Sequence, residues 1–261
     1  MNINDLSTQL IYTTVPIYVQ KYNGEESTGT GFIFSIVEND DTSIPLLITN
    51  YHVLENTKAG YIEFHIGENN IPTKRSTKVK FDSSIVGDNK LGELDLIAVP
   101  IAATLTELQK NNINIFFRSV DQNIIPTDEQ CENFSAIEKI TFIGYPNGLY
   151  DEKNKISVIR EGITATPIWN DFKGESAFLI DAGVFPGSSG SPVFIYNQGT
   201  YPIKDGIALG NRLLFVGVIS QPMLHNNVDV KSFLNLGKVI NSRAMYIELE
   251  RFIKNLKSGS N

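Results

Sequence analysis

Phe185-Pro186-Gly187-Ser188-Ser189-Gly190-Ser191-Pro192 is a short stretch, rich in glycine and apolar at its edges. It holds three serines where a turn needs one or two. Gly187 and Gly190 let the backbone bend tightly and take positive φ. Pro186 and Pro192 fix φ on either side and remove donors. The expected product is a rigid loop that aims backbone N–H groups and one hydroxyl at a single point. Acyl transfer asks for that arrangement, a nucleophile beside preorganised oxyanion donors. A plain surface turn between strands explains the same eight residues, so the rest of the chain has to decide.

The chain has 261 residues, enough for a sizeable core. Its 41% hydrophobic and 20% charged content is that of a folded protein. The net charge of -7, with no basic run, argues against nucleic acid or an anionic membrane as partner. No apolar run reaches a membrane-spanning length. Met1-Asn2-Ile3-Asn4-Asp5 shows neither the basic nor the apolar region of a signal peptide. Cys131 is the one cysteine, so no internal disulfide forms, which suits a reducing compartment. These features predict a cytoplasmic protein. Cys131 itself, with no histidine near it in sequence, reads as an incidental or buried thiol.

Runs of β-branched and aromatic residues recur about every dozen residues and predict an all-β fold. The expected strands are 11–20, 28–37, 44–50, 61–66, 78–81 and 94–101, then 139–144, 156–166, 177–181, 193–196, 213–220 and 237–240. Residues 102–112 and 243–256 read as helices, the second with Ser242 as its N-cap. The pattern weakens between about 112 and 134, which predicts a link between two halves. The expected division is 11–120, 121–242 and a C-terminal helix and tail, 243–261.

Three histidines and one acid bear on chemistry. His65 lies in an alternating strand and reads as structural. His225 sits in a polar segment and reads as solvated. His52 ends the run Leu46-Leu47-Ile48-Thr49-Asn50, where a strand meets a turn. Asp95 interrupts the apolar run Leu94-Asp95-Leu96-Ile97-Ala98-Val99. Buried and unpaired, it would cost several kcal/mol, of order ~5, so it needs a donor or a strand end. An imidazole N–H would serve. His52, Asp95 and Ser189 then make a Ser-His-Asp set in the order His, Asp, Ser, one of three unrelated orders known for such triads.

The sequence resembles the trypsin-like (chymotrypsin-fold) serine peptidases, and within them the HtrA-like branch. The matching segments are 28–33 (TGTGFI), 48–54 (ITNYHVL), 94–99 (LDLIAV), 143–148 (IGYPNG) and 181–192 (DAGVFPGSSGSP). Five segments in the right order make a strong signal. The resemblance implies two six-stranded antiparallel β-barrels with a C-terminal helix and a site in the cleft between the barrels. It implies His52 and Asp95 from the first barrel and Ser189 from the second. It implies an oxyanion hole from the N–H groups of Gly187 and Ser189, and no metal or other cofactor. Ser220 matches a serine that supports the acid and starts the substrate-binding strand. Gly183, Ser220, Gln221, Pro222 and Gly237 match the substrate pocket. With no acid at the pocket base, an apolar residue before the cut is the expectation.

The chain also departs from that pattern. Activatable relatives keep an acid where Ser188 stands, so an on-switch by a partner protein or ligand is expected instead of zymogen cleavage. A flipped peptide at Phe185–Gly187 is the expected off state. Pro222 has no N–H and removes one backbone donor to an extended peptide. Few residues follow the last helix, so no PDZ domain is expected. The reading is an intracellular serine endopeptidase acting on protein or peptide, suited to a regulated effector in bacterial stress or phage defence. Its rival is a catalytically silent protease-fold binding module.

Overall fold

The computed structural model describes residues 2–227 and 230–258. Strand order in the first half follows from hydrophobic runs joined by short turns. The strands are β1 (Thr14–Lys21), β2 (Glu26–Asn39), β3 (Thr42–Thr49), β4 (Thr57–Glu68), β5 (Ile71–Asp82) and β6 (Ile97–Pro100). They pair antiparallel in the order β5-β4-β1-β2-β3-β6. Two short strands join them: β7 (Ile115–Phe116) on β4, and β8 (Val120–Asp121), which lies parallel to β2. In the second half β9 (Lys139–Gly144), β10 (Val158–Thr164), β11 (Ala177–Asp181) and β12 (Pro192–Asn197) combine with β15 (Arg212–Asn227) and β16 (Val230–Asn241). These six close into a barrel. The first half is a sheet whose β5 and β6 ends do not pair with each other, so only the second barrel is closed by hydrogen bonds.

The apolar runs of the central strands are continuous because both faces are buried. Phe32 and Phe34 point to one core and Ile33 to another; Leu46 and Ile48 divide from Leu47 in the same way. Period-two alternation sorts the side chains. The second barrel has its own core of Phe142, Phe178, Val193, Val216 and Val239. Between the halves lies a shared core, where Phe215 packs against Phe32, Phe34 and Phe194 at 5.5, 6.2 and 5.8 Å between ring centroids. Each buried ring contributes about 2 kcal/mol from area alone.

Among the described residues five α-helices decorate the strands: α1 (Leu6–Ile11), α2 (Tyr51–Leu54), α3 (Ala102–Lys110), α4 (Asp128–Glu132) and α5 (Ser242–Ser258). Met245, Leu249, Phe252 and Ile253 of α5 join the shared core, so the C-terminal helix latches both halves. Its cap is Asn241, whose Oδ1 accepts from Arg243 N at 2.9 Å, and not Ser242. No described helix is long and apolar enough to cross a membrane.

Three local expectations change. Asp95 stands in a turn ahead of β6 and not inside a strand. The expected loop after β12 instead forms a detached hairpin, β13 (Thr200–Ile203) with β14 (Gly206–Leu209). His225, expected in a polar loop, falls on β15, and its side chain lies outside the described residues.

Candidate active site

His52 is carried by α2, one turn of helix that follows β3 directly. Asn50 precedes it in extended conformation, and its Nδ2 donates to the Asp95 carbonyl at 2.8 Å. Tyr51 N donates to the same carbonyl at 3.3 Å. The two chain segments are thus pinned before any side chain of the pair is placed. Asp95 Oδ1 then accepts the His52 backbone N–H at 3.0 Å, and Oδ2 faces His52 Nδ1 at 2.7 Å. Burial alone would raise the Asp95 carboxyl. The hydrogen bonds and charge of His52, with the Ser220 hydroxyl, outweigh it and hold the carboxyl below its usual range. An ionised Asp95 fixes the ring with Nδ1–H toward the acid and Nε2 outward.

Ser189 follows β11 through the glycine-rich stretch. Ser188 N donates to the Phe185 carbonyl at 2.9 Å, which closes a turn around Pro186 and Gly187. Gly187 takes φ +86°, and a Cβ there would lie 2.5 Å from the Tyr145 carbonyl oxygen. Two contacts orient the turn. Thr30 Oγ1 donates to the Gly187 carbonyl at 2.8 Å, and Asn147 N donates to the Pro186 carbonyl at 2.6 Å. In a trans peptide the N–H points opposite the carbonyl. The Gly187 N–H therefore faces away from Asn147. Neither it nor the Ser189 N–H has an acceptor among the described residues. The flipped, sequestered donor expected of an off state is not what this turn adopts. Ser188, buried, uses its hydroxyl to accept the Phe185 N–H at 3.4 Å.

Ser220 connects the two halves of the site. Its hydroxyl donates to Asp95 Oδ2 at 3.2 Å, and its carbonyl accepts the Ser189 hydroxyl at 2.9 Å. Ser220 thus links Asp95, with its partner His52, to Ser189; among the described residues the Ser189 hydroxyl bonds to the Ser220 backbone and not to His52.

The other residues expected at the substrate pocket fall in two groups, and none of them lines a cavity found among the described residues. Gln221 and Pro222 continue β15 beyond a register shift, opposite Lys238 and Gly237. Gly237 is buried, and a Cβ there would lie 2.4 Å from Val184. Gly183 stands after β11, next to the guanidinium of Arg160 and the ring of Phe185. His65 is buried with its ring edge on Tyr12, and burial pushes its pKa down to about 4. Burial pushes the Cys131 thiol up, beside Arg243. Among the described residues no three His, Cys, Asp or Glu side chains gather as metal ligands do.

Sequence reasoning missed Thr30, Asn147 and Arg160. Thr30 and Asn147 sit in TGTGF and YPNG, segments that carried the resemblance, yet no local pattern marks a hydroxyl or backbone amide that will hold a turn far away in the chain, 157 residues for Thr30. Arg160 alternates with exposed neighbours on a strand and looks like a solvated charge.

A family model described as a trypsin-like peptidase domain matches residues 29–200. No curated protein matches the chain by sequence. Among solved structures, the HtrA-type protease AlgW with a tripeptide is similar over 97% of this chain and 62% of its own, at TM-score 0.53 and 16% identity. A serine endoprotease from Yersinia pestis is similar over 97% and 67%, at TM-score 0.52 and 16% identity. A thermostable serine protease, AL20, from an extremophilic microorganism is similar over 91% and 95%, at TM-score 0.50 and 14% identity. The chain thus spans 62% of the AlgW chain, and likeness at these identities concerns the fold.

Proposed function

The chain belongs to the trypsin-like peptidase family, and from that membership we propose that it is a serine endopeptidase working through His52, Asp95 and Ser189. The observation that carries this reading is Ser220, bonded to Asp95 through its hydroxyl and to Ser189 through its carbonyl.

In this reading Ser189 rotates from the Ser220 carbonyl toward His52 Nε2. Such a rotamer change in a side chain is fast, on the order of nanoseconds. His52 takes the hydroxyl proton as Ser189 Oγ attacks a peptide carbonyl. The negative charge that develops on the carbonyl oxygen meets the Gly187 and Ser189 N–H groups. Asp95 stabilises the imidazolium without taking its proton. His52 then protonates the leaving amine, the C–N bond breaks, and an acyl-Ser189 remains. Water, deprotonated by His52, hydrolyses that ester and restores Ser189. The substrate is protein or peptide. Gly183, Ser220, Gln221, Pro222 and Gly237 frame its pocket.

The turn is ordered by Thr30, Asn147 and Ser188 of the same chain. This supports a site ordered by local packing without zymogen cleavage; control by a partner or ligand at a later step, in a cytoplasmic stress or phage-defence response, is part of the proposal and rests on the sequence alone. The test is labelling of the purified protein by a fluorophosphonate beside Ser189→Ala, with peptide hydrolysis measured in parallel. Labelling and hydrolysis by the wild type alone support the reading. A folded protein that takes no label, with or without candidate partners, belongs to the silent binding-module class.

A further inference from the structure

Arg160 stands on β10 opposite Phe142, in a strand whose residues alternate between partly covered and exposed. Its guanidinium carbon lies 5.7 Å from the Phe142 ring centroid and 5.0 Å from that of Phe185. Nη2 lies 2.8 Å from where a Cβ on Gly183 would be. Contact with two aromatic faces orients the planar fork, and the absence of a side chain at 183 leaves room for it.

The group is half-buried, yet it makes no ion pair and no hydrogen bond with any described residue. Four other cations of this half are paired: Lys139 with Glu161, Lys155 with Glu63, Arg212 with Glu138 and Lys238 with Glu175. A guanidinium carries five N–H donors in a fixed fork that matches a carboxylate bidentately. Arg160 lines a cleft of about 630 Å³, with Asn147, Tyr150, Val158 and Phe185. Glu152 lines the cleft as well but forms no ion pair with Arg160.

The cleft shares its wall with the catalytic turn. Asn147 holds the Pro186 carbonyl, and Phe185 closes the turn on Ser188. Gly183, against which the Arg160 fork lies, is one of the residues expected at the pocket for the residue before the cut. We propose that Arg160 is a specificity-determining residue that receives the carboxylate of an acidic side chain on the amino side of the cut. This rests on the peptidase reading. It replaces the apolar preference expected from the lack of an acid at the pocket base.

The test uses the full chain. First, fluorophosphonate labelling rates of wild type, Arg160→Gln and Arg160→Lys report the serine chemistry without a peptide. They are expected to agree within about threefold, because the reagent places no carboxylate near Arg160. Second, matched peptides with Glu, Gln, Leu or Arg before the scissile bond are compared. The wild type is expected to prefer Glu over Gln by about tenfold or more in kcat/KM, the size of one charge-assisted bidentate contact. Arg160→Gln is expected to lose that ratio mainly through KM, and Arg160→Lys to keep part of it. Third, binding of the Glu and Gln peptides to Ser189→Ala reads the contact whether or not the enzyme turns over. Equal affinity for the two peptides, or a preference for Glu that survives in Arg160→Gln, overturns the proposal. Failed labelling with acid-selective binding overturns the peptidase reading and leaves the carboxylate site standing.

Discussion

The Ser189 hydroxyl donates to the backbone carbonyl of Ser220 at 2.9 Å, while the Ser220 hydroxyl donates to Asp95 at 3.2 Å. One residue therefore serves the nucleophile with its main chain and the acid with its side chain. Ser220→Ala removes only the second contact. Asp95 keeps both bonds from His52 and is about one-third exposed, so water can replace the lost donor. The expected loss is about 1 kcal/mol, a fall of roughly fivefold in kcat/KM. Asp95→Asn instead disturbs the tautomer of His52 and is expected to cost on the order of 10⁴-fold. Peptide hydrolysis by the two variants checks this. If they are equally damaged, Ser220 does more than support the acid.

Gly187 is tied to its place by backbone and neighbours together. Gly24 has the same φ, +86°, but nothing within 4 Å of a Cβ there. Gly187→Ala is therefore expected to cost more than the backbone strain of about 1–2 kcal/mol that Gly24→Ala measures alone. The turn must move off Tyr145 and Asn147, and the Gly187 donor moves with it. The expected activity loss is on the order of 10²–10³-fold, as for one oxyanion donor, against no measurable change for Gly24→Ala. Labelling rates and thermal melts of both variants separate strain from lost chemistry. An active Gly187→Ala would remove Gly187 from the oxyanion hole.

The legible parts of this protein were those set by local rules. Alternation and turn residues gave the strands, because central strands such as 32–34 and 46–48 bury both faces and leave unbroken apolar runs. His52 stood out as a polar residue where such a run ends, and Asp95 as an acid inside another. The strand assignment around Asp95 failed because its backbone carbonyl is held by Asn50, 45 residues away in sequence, and by its neighbour Tyr51. The closing of only one barrel, the hairpin at 200–209 and the contacts of Arg160 depend likewise on pairings distant in sequence. Periodicity has no term for those.

Glu63 and Lys155 join β4 to the segment that carries Asn147. Lys155 Nζ lies 3.2 Å from Glu63 Oε1 and donates to the Tyr150 hydroxyl at 3.3 Å. Ser76 donates to the same carboxylate. Burial alone would lower the Lys155 pKa, but the bonds to Tyr150 and Glu63 outweigh it and raise it. Lys155→Met leaves a buried carboxylate with Ser76 alone, at an expected cost of about 2–3 kcal/mol and a Tm lower by about 5 °C or more. Adding Glu63→Gln removes the stranded charge and is expected to recover at least half. The double-mutant cycle measures the coupling. Additive losses would show that the pair contributes nothing.

His65 predicts how stability responds to acid. It is 6% exposed, its Nδ1 has no hydrogen-bond partner among the described residues, and burial pushes its pKa down to about 4 against 6.5 for a free histidine. Between these values the unfolded chain binds a proton that the folded one refuses. Stability must then fall as pH is lowered from about 6.5 toward 4, by up to about 3 kcal/mol from this residue, and level off below. Asp95 acts in a different window. Its carboxyl is held below the usual range, so its share is present above about 4 and is lost only as pH falls further. His65→Phe keeps an aromatic edge on Tyr12 and removes the titration. Urea melts at pH 7, 5.5 and 4.5 are expected to show a clear loss of stability for the wild type and a smaller one for His65→Phe. Parallel curves for the two proteins over that range would mean that His65 is protonated in the folded state, its charge offset by Glu63.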